Sequence, residues 1–190
     1  VVVLDKTGTI TKGQPAVTDV VVSNLQSAVL SSSKHPISTE QLLRLAASVE
    51  KGSEHPLGEA IWAEATNRGL SLVDPVGFKA EAGHGVQGEV EGRRVAVGNI
   101  RMMNALGYPM NGLESEVSRL QSEAKTAMLV AVDGEVAGVI AVADTVKDGS
   151  LQAIQALHQI NLQVVMITGD NQKTAQAIAK KVGVDHVLAE

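Results

Sequence analysis

An aspartate near the start of the chain carries the most specific chemical signal. Val1–Leu4 is a short β-branched run, typical of a strand covered on both faces, and it leads directly to Asp5. The residues that follow, Lys6 to Thr11, read KTGTIT and contain a glycine turn. A carboxylate at the end of a buried strand can attack phosphorus, while turn N–H groups bind the phosphoryl group and Lys6 offsets its charge. The pattern indicates phosphoryl transfer, and its ordinary alternative is a strand followed by an Asp/Gly turn.

A second apolar run near the other end of the chain also leads to polar residues. Leu162–Thr168 reads LQVVMIT and is followed by Gly169 and Asp170. A helical pattern begins just after, with Asn171 as a plausible N-cap, and the N-terminus of a helix favours anions. We therefore expect Thr168, Gly169 and Asp170 to contact a phosphoryl group. The alternative for the carboxylate is capping or a surface salt bridge.

The elements around these two motifs predict one α/β domain built from both ends of the chain. Ser150–Gln159 and Gln172–Val182 show helical spacing, and Val184–Leu188 reads as a further strand. Alternating helices and strands predict a doubly wound sheet, which the first strand completes. We therefore predict a domain formed by residues 1–17 and 143–190, interrupted by an insertion at 18–142.

The insertion has a different pattern, which predicts an α+β domain with an antiparallel sheet. Thr39–Glu50 is amphipathic, and Pro56 suits the first turn of a second helix that runs to about Arg68. Glu91-Gly92 and Asp133-Gly134 lie between apolar segments and predict two hairpins, the second more strongly. The serine-rich segment at 23–36 is expected to be an exposed loop.

Composition and charge exclude several functional classes. The chain has 190 residues, a formal net charge of −5 and no cysteine. An acidic balance argues against a nucleic-acid partner, and the lack of cysteine rules out disulfides, Cys-based zinc sites and thiol nucleophiles. No apolar stretch approaches the roughly 20 residues needed to span a bilayer. The abrupt start without Met leads us to expect a piece of a longer protein.

The heptapeptide DKTGTIT, from Asp5 to Thr11, resembles the phosphorylation motif of P-type ATPases. In that family the aspartate becomes an aspartyl phosphate. Haloacid-dehalogenase-like phosphatases share the strand-end aspartate, but they carry a second aspartate two positions later as general acid/base. Thr7 occupies that position here. Without a carboxylate, water is poorly activated to cleave the acyl phosphate, which favours an ATPase over a phosphatase.

The segment SEHPL, at 53–57, resembles the signature of heavy-metal-transporting P-type ATPases. The resemblance implies that Glu54 and His55 help to hold the adenine of ATP. The alternative is that the histidine is structural. The five histidines lack the i, i+4 spacing of a helical metal pair, so we do not interpret His55 as a metal ligand.

A glycine-rich string further along the insertion resembles the glycine loop of the same nucleotide domain. The string GHGVQG, at 83–88, matches G-x-G-x-x-G, but it leads into strands rather than a helix, so a dinucleotide fingerprint is rejected. The resemblance implies nucleotide contacts through Gly83, Gly85 and Val86. Gly98 and Asn99 resemble another nucleotide-contacting pair. Ordinary turn usage is the alternative for these glycines.

Asp144 and Lys147 resemble the Asp-x-x-Lys/Arg motif of the family, and six motifs now follow one another in family order. The resemblance implies a haloacid-dehalogenase-like phosphorylation domain, incomplete here, with an inserted nucleotide-binding domain. It implies ATP as substrate and Mg²⁺ held by Asp5 and the Thr7 carbonyl. It also implies that the chain is a cytoplasmic domain of an integral membrane protein that exports a heavy metal. Copper(I) is favoured over zinc or cadmium, and the implied partners are membrane helices, an actuator domain and a metallochaperone or metal-binding domain.

Overall fold

The computed structural model describes residues 1–23, 37–53, 55–169 and 172–189. The predictions for Glu54, Asp170, Asn171 and most of the serine-rich loop lie outside these residues. The chain divides into two compact units. One comprises residues 1–15, 119–126 and 143–190, and the other comprises residues 16–118 and 127–142. Among the described residues, none of the helices combines the length and the apolar character that a membrane span requires.

Nine strands and six α-helices are assigned in the described residues. The strands are β1 (Val2–Asp5), β2 (Thr11–Val22), β3 (Val76–Glu81), β4 (Gly85–Val90), β5 (Arg93–Gly98), β6 (Thr126–Val132), β7 (Glu135–Val146), β8 (Val164–Ile167) and β9 (His186–Leu188). The helices are α1 (Thr39–Glu50), α2 (Pro56–Asn67), α3 (Ile100–Ala105), α4 (Glu114–Ser122), α5 (Ser150–Gln159) and α6 (Gln172–Val182).

The first unit contains a three-stranded parallel sheet in the order β1-β8-β9. Its apolar core joins this sheet to α5 and α6 through Ile154, Val164, Met166 and Ile178, among others. Strands from both ends of the chain therefore pair directly, which confirms the predicted α/β arrangement of the termini.

The prediction that the first strand is covered on both faces is wrong for the described residues. Val3 is 58% exposed, and Ile167 and Leu188 on the same face of the neighbouring strands are 45% and 56% exposed. Val164 and Met166, on the opposite face, are fully buried. A β-branched run indicates a strand, but it does not reveal how many faces of the sheet are covered.

The second unit is built on a six-stranded sheet in the order β2-β7-β6-β5-β4-β3. Strands β3, β4, β5 and β6 pair antiparallel in sequence. Both predicted hairpin turns are confirmed, because Glu91-Gly92 and Asp133-Gly134 join adjacent strands with positive φ at all four residues. Positive φ at both central residues is what a type I′ turn requires.

Helices α1 and α2 pack on one face of this sheet and form the larger apolar core. Ser38 caps α1, since its hydroxyl accepts a hydrogen bond from the Gln41 N–H at 3.1 Å. Pro56 occupies the first turn of α2, as predicted. The core is almost entirely aliphatic, with Leu42 and Ile61 at its centre.

Candidate functional site

The sheet of the first unit brings together the predicted catalytic residues from both ends of the chain. Asp5 is the last residue of β1 and is in register with Ile167, the last residue of β8. Because the two strands are parallel, Lys6 and Thr168 follow them at the same carboxyl edge. Asp5 is exposed, whereas Lys6 and Thr168 are buried. This edge therefore carries an exposed aspartate, with a buried lysine next in the chain and a buried threonine at the end of the neighbouring strand.

The segment after Asp5 forms a tight turn whose shape depends on glycine. Thr7 has φ −78° and ψ 123°, and Gly8 has φ 75° and ψ −8°. These are the dihedral angles of a type II turn, in which the second central residue needs positive φ. Thr7 and Gly8 are both exposed, and so is Gly169 after β8. The residues of the turn are thus exposed next to Asp5 in the chain.

Asp144, near the end of β7, holds the far side of this turn. The buried Thr11 hydroxyl has two acceptors within reach of its one proton, Asp144 Oδ2 at 2.5 Å and the Lys6 carbonyl oxygen at 2.9 Å, and the carboxylate is the nearer of the two. The Gly13 N–H donates to Asp144 Oδ1 at 2.9 Å. Both oxygens of the Asp144 carboxylate are therefore used to position the chain that follows Asp5.

Lys147 and Ser150 hold the turn from the same segment. The Lys147 ammonium donates to the Gly8 carbonyl, and the Lys147 backbone N–H donates to the Ile10 carbonyl at 3.0 Å. The Ser150 hydroxyl also donates to the Ile10 carbonyl, at 2.8 Å. Sequence reasoning named Asp144 and Lys147 as supporting residues but assigned no role to Thr11 or Ser150. The structure identifies these two residues through their hydrogen bonds with residues far away in the sequence.

In the second unit, Asn99 ties the predicted glycine residues into one cluster. Its amide Nδ2 donates to the Gly83 carbonyl at 2.8 Å, and its backbone N–H donates to the His84 carbonyl at 2.9 Å. Its Oδ1 also accepts from the Met102 N–H at 3.1 Å, which caps α3. Gly85 and Gly98 are in register on β4 and β5, directly beside this corner.

Gly85 and Gly98 are required because the chain packs too closely for a side chain. A Cβ on Gly85 would overlap the Val97 carbonyl oxygen and lie 2.5 Å from the Gly98 Cα. A Cβ on Gly98 would overlap the His84 carbonyl oxygen and lie 2.6 Å from the Met102 sulfur. The two glycines therefore have a packing role that holds independently of any ligand.

The remaining predicted nucleotide residues lie in different surroundings. His55 is the N-cap of α2, where its Nδ1 accepts a hydrogen bond from the Leu57 N–H at 3.2 Å. Within the described part of the chain, no hydrogen bond links His55 to the glycine corner. The Val86 side chain is buried in the core under α1 and α2, which leaves only its backbone for contact with a ligand.

The structure adds Glu50 to the candidate residues of this region. Glu50 ends α1, five residues before His55, and is only 3% exposed. Burial raises the pKa of its carboxyl to about 7, while a hydrogen bond with the Ser53 side chain opposes part of that rise. Its Oε2 occupies the space that a side chain on Gly58 would need. The sequence pattern that could have indicated the burial of Glu50 is its position four residues after Ala46, which places it on the apolar side of α1.

Oxygen donors dominate the carboxyl edge of the first unit, which fits Mg²⁺. No cluster of three or more His, Asp or Glu side chains suited to a metal is found in the described residues. Protein Mg²⁺ sites commonly use only one or two carboxylates and complete the shell with water and phosphate. The exposed Asp5 carboxylate and the carbonyl of the exposed Thr7 match that donor set.

Comparison with known protein families and sequences finds similarity to one hydrolase family and to several curated proteins. A family model for haloacid dehalogenase-like hydrolases matches residues 1–190. The chain is 45% identical over 190 residues to a copper-exporting P-type ATPase from Staphylococcus epidermidis, covering 100% of this chain and 22% of that protein. The chain therefore spans only about a fifth of the length of such curated relatives.

Solved structures show similarity both to a whole pump and to one domain. A zinc-transporting PIB-type ATPase in the E2.Pi state superposes with a TM-score of 0.85 at 33% identity, covering 99% of this chain and 28% of that one. The N-domain of HMA6, a copper-transporting P-type ATPase, has a TM-score of 0.51 at 28% identity. That match covers 68% of this chain and 99% of the N-domain.

Proposed function

Since this chain belongs to the haloacid dehalogenase-like hydrolase family, we propose that it is the ATP-binding and autophosphorylating part of a heavy-metal-transporting P-type ATPase. The observation that carries this proposal is the pairing of β1 with β8, which sets Asp5 at the same sheet edge as Thr168 and Gly169. The Asp144–Lys147 segment that braces the turn after Asp5 gives it further support.

In the proposed reaction, Asp5 is the nucleophile. A carboxylate oxygen of Asp5 attacks the γ-phosphorus of ATP and forms an acyl-phosphate O–P bond. The bond between the γ-phosphorus and the β,γ-bridging oxygen breaks, and its electron pair leaves with ADP. Lys6 and Thr168 stabilise the charge of the transferred group, and N–H groups of the turn and of Gly169 bind its oxygens. Asp170 acts on the same group in this proposal.

Mg²⁺ is the metal that this site would hold, through the Asp5 carboxylate and the Thr7 carbonyl. When bound, the ion neutralises negative charge on the phosphate oxygens. Thr7 contributes no carboxylate side chain, so no second acid is available at that position to activate water. The acyl phosphate is thereby protected from rapid hydrolysis, as a transport cycle requires.

Nucleotide binding is assigned to the domain proposed at 18–142, and phosphorylation to residues 1–17 with 143–190. Glu54 and His55 are proposed to contact the adenine, and the corner made by Gly83, Gly85, Val86, Gly98 and Asn99 to approach the nucleotide through its backbone. The match to an isolated N-domain over 68% of the chain supports this division. The buried carboxyl of Glu50 joins this set, because it can donate or accept a hydrogen bond near neutral pH.

The transported ion is proposed to be copper(I), moved outward across a membrane. Support comes from the name of the Staphylococcus epidermidis relative, a copper-exporting P-type ATPase that matches this chain over its whole length. A zinc- or cadmium-type pump is the alternative, which the similarity to a zinc-transporting ATPase keeps open. The chain would then be a cytoplasmic part of a membrane protein, working with membrane helices, an actuator domain and a metallochaperone or metal-binding domain.

The decisive experiment follows acid-stable phosphate on the full-length protein after mixing with γ-labelled ATP and Mg²⁺. We expect Asp5→Asn to abolish labelling and to leave ATP binding unchanged, because the amide keeps the size of the side chain but is not a nucleophile. Asp148→Asn is the matched control, since the Asp148 side chain is fully exposed.

Two results would contradict the proposal. If labelling survives in Asp5→Asn, another residue must be the nucleophile. If this variant loses ATP binding, the division into two functional domains is contradicted. Fast turnover of small phosphomonoesters by the wild-type chain, without a trapped phosphoenzyme, would instead indicate a phosphatase.

A further inference from the structure

A polar cleft on the second unit lies apart from the residues assigned to the nucleotide. It has a volume of about 400 Å³ and is lined by parts of β3, β4 and β5 and by Tyr108, which follows α3. None of His55, Gly83, Gly85, Gly98 and Asn99 lines it.

The register of the three strands shows which side chains share the face that bears the cleft. Lys79, Gln87 and Ala96 form one row across β3, β4 and β5, and Glu89 and Arg94 face each other in the next row. Val86, Val90, Val95 and Val97 alternate with them and pack under α1 and α2 on the other face. The cleft therefore opens on the sheet face that these two helices do not cover.

The cleft contains two cationic side chains, Lys79 and Arg94, for which the described part of the chain shows no ion pair. Among the described residues, neither Lys79 nor Arg94 forms an ion pair within 4.0 Å, even though Glu89 is directly opposite Arg94. Arg44 and Arg93, in contrast, are each paired with a carboxylate in the same unit. Lys79 and Arg94 are both exposed, so both are available to bind a carboxylate or phosphate group in this concave surface.

Spacing and shape restrict the size of the anion. The Cα atoms of Lys79 and Arg94 are separated by two strand spacings and by two residues along β5, which is about 12 Å. Both residues line the cleft and have long side chains, so that two anionic groups a few bonds apart can bridge them. The Tyr108 ring and the Arg94 guanidinium converge beside Gly134, at 3.8 and 4.0 Å from the position of a Cβ there.

A β-bulge shapes the opposite wall. The β3–β4 register shifts between Val76 and Lys79, and Gly77 has φ +65° with open space where a Cβ would be. A bulge redirects side chains on the strand and often borders a binding site. Here it lies next to Lys79 in the cleft wall.

We propose that this cleft binds a small organic dianion, a compound with two phosphate or carboxylate groups, at a site separate from that of the ATP nucleotide. Lys79 and Arg94 each bind one anionic group, Gln87 and the Tyr108 hydroxyl supply hydrogen bonds, and Glu89 limits binding to ligands with enough negative charge. Volumes from about 300 Å³ upward are usual for small-molecule sites.

The experiment titrates the ¹⁵N-labelled 190-residue chain with inorganic pyrophosphate, without Mg²⁺, and follows backbone amides. We expect shifts at Gly77, Gly88, Val95 and Ala96, with pyrophosphate binding about tenfold weaker in Lys79→Gln and in Arg94→Gln. Glu89→Gln is expected to tighten binding, because it removes the only acid in the cleft lining. Arg68→Gln is the matched control: it removes the same charge from a surface ion pair between the C-cap of α2 and Glu64, and it should leave pyrophosphate affinity unchanged.

Three outcomes of the pyrophosphate titrations, and one of a titration with a peptide, would overturn the proposal. The three are unmoved cleft amides at millimolar pyrophosphate, an equal loss of affinity in Arg68→Gln, and shifts confined to Gly83, Gly85 and Gly98. Binding of an octaglutamate peptide without any response to pyrophosphate would assign the cleft to an acidic protein segment and would also overturn it. ATP binding is read from different amides, so failure here leaves the proposed function intact, and the reverse also holds.

Discussion

The two units build their candidate sites by opposite means. In the first unit, the turn after Asp5 is exposed, and side chains from a distant segment hold it in place: Asp144, Lys147 and Ser150 all bond to residues between Lys6 and Gly13. In the second unit, the glycine corner is held by backbone packed against backbone, with Asn99 as its main side-chain tie.

This difference determines where each site tolerates change. A turn held by side-chain hydrogen bonds loses one or two bonds when a single side chain changes, and the remaining bonds keep its approximate shape. A corner held by close backbone contact has no space to absorb an added atom, because interiors are packed near crystal density. The same type of conservative substitution should therefore cost more in the second unit than in the first.

The largest effect is expected from Gly85→Ala. The added methyl group would overlap the Val97 carbonyl oxygen, and φ at this position is +150°, which suits glycine alone. We expect a loss of about 4 kcal/mol in the free energy of unfolding, or failure to fold, as overpacking and backbone strain combine. Urea denaturation of the purified chain measures this loss.

Gly83→Ala is the control within the same loop. Gly83 has φ +72°, but nothing lies within 4 Å of the position that a methyl group would take. Only the cost of a left-handed alanine therefore applies, about 1 kcal/mol. If the two variants were equally stable, close backbone packing would not be what holds the corner together.

Glu50 is the exception in the second unit, because its effect on stability comes from a buried ionisable side chain and not from close backbone packing. Its pKa of about 7 lies above its ordinary value of 4.5, so the folded state binds the proton more tightly than the unfolded state. The free energy of unfolding should therefore be highest below about pH 4.5 and fall by up to about 3 kcal/mol as pH rises to 7.

Glu50→Gln should remove this decline, because the amide cannot ionise. Stability curves between pH 4.5 and 8 for this variant, for the wild type and for Glu59→Gln, which changes an exposed acid on α2, provide the measurement. An unchanged slope in Glu50→Gln would mean that another group is responsible for the decline.

Local patterns were sufficient to predict most of the fold. Apolar alternation and Asp-Gly turn chemistry located the hairpin joined by Asp133-Gly134, and helical spacing located α1 and α6. These signals depend on residues that are close together in the chain, so they can be detected in a single sequence. The pairing of the first strand with the sheet also follows from the alternation of helices and strands, because the doubly wound arrangement needs a strand from the first residues.

Contacts between distant residues could not be predicted in the same way. Thr11 and Asp144 are 133 residues apart, and nothing in the heptapeptide distinguishes the buried Thr11 from the exposed Thr9. The cleft around Lys79 depends on a bulge and on two strand registers, which no local signal determines. Val3 shows a related limit, because a β-branched run predicts a strand but not whether both of its faces are covered.

Of the effects expected at Gly85, Glu50 and Thr11, the smallest is in the first unit, from Thr11→Val. Valine keeps the shape of this buried residue but removes the hydroxyl between the Lys6 carbonyl and Asp144. We expect a loss of about 2 kcal/mol, because the Thr11 backbone N–H still donates to the Lys6 carbonyl and the Gly13 N–H still donates to Asp144. Urea denaturation gives the loss.

Thr9→Val, at an exposed residue of the same turn, should cost less than about 0.5 kcal/mol and controls for the change of residue type. Amide shifts should reveal what the loss of the hydroxyl does to the turn itself. If side chains hold this turn, the Thr7 and Gly8 amides move in Thr11→Val, whereas the strand amides of β1 stay in place. A Thr11→Val variant as stable as the wild type, with unmoved turn amides, would show that the backbone alone sets this loop. The two units would then not differ in the way their structures indicate.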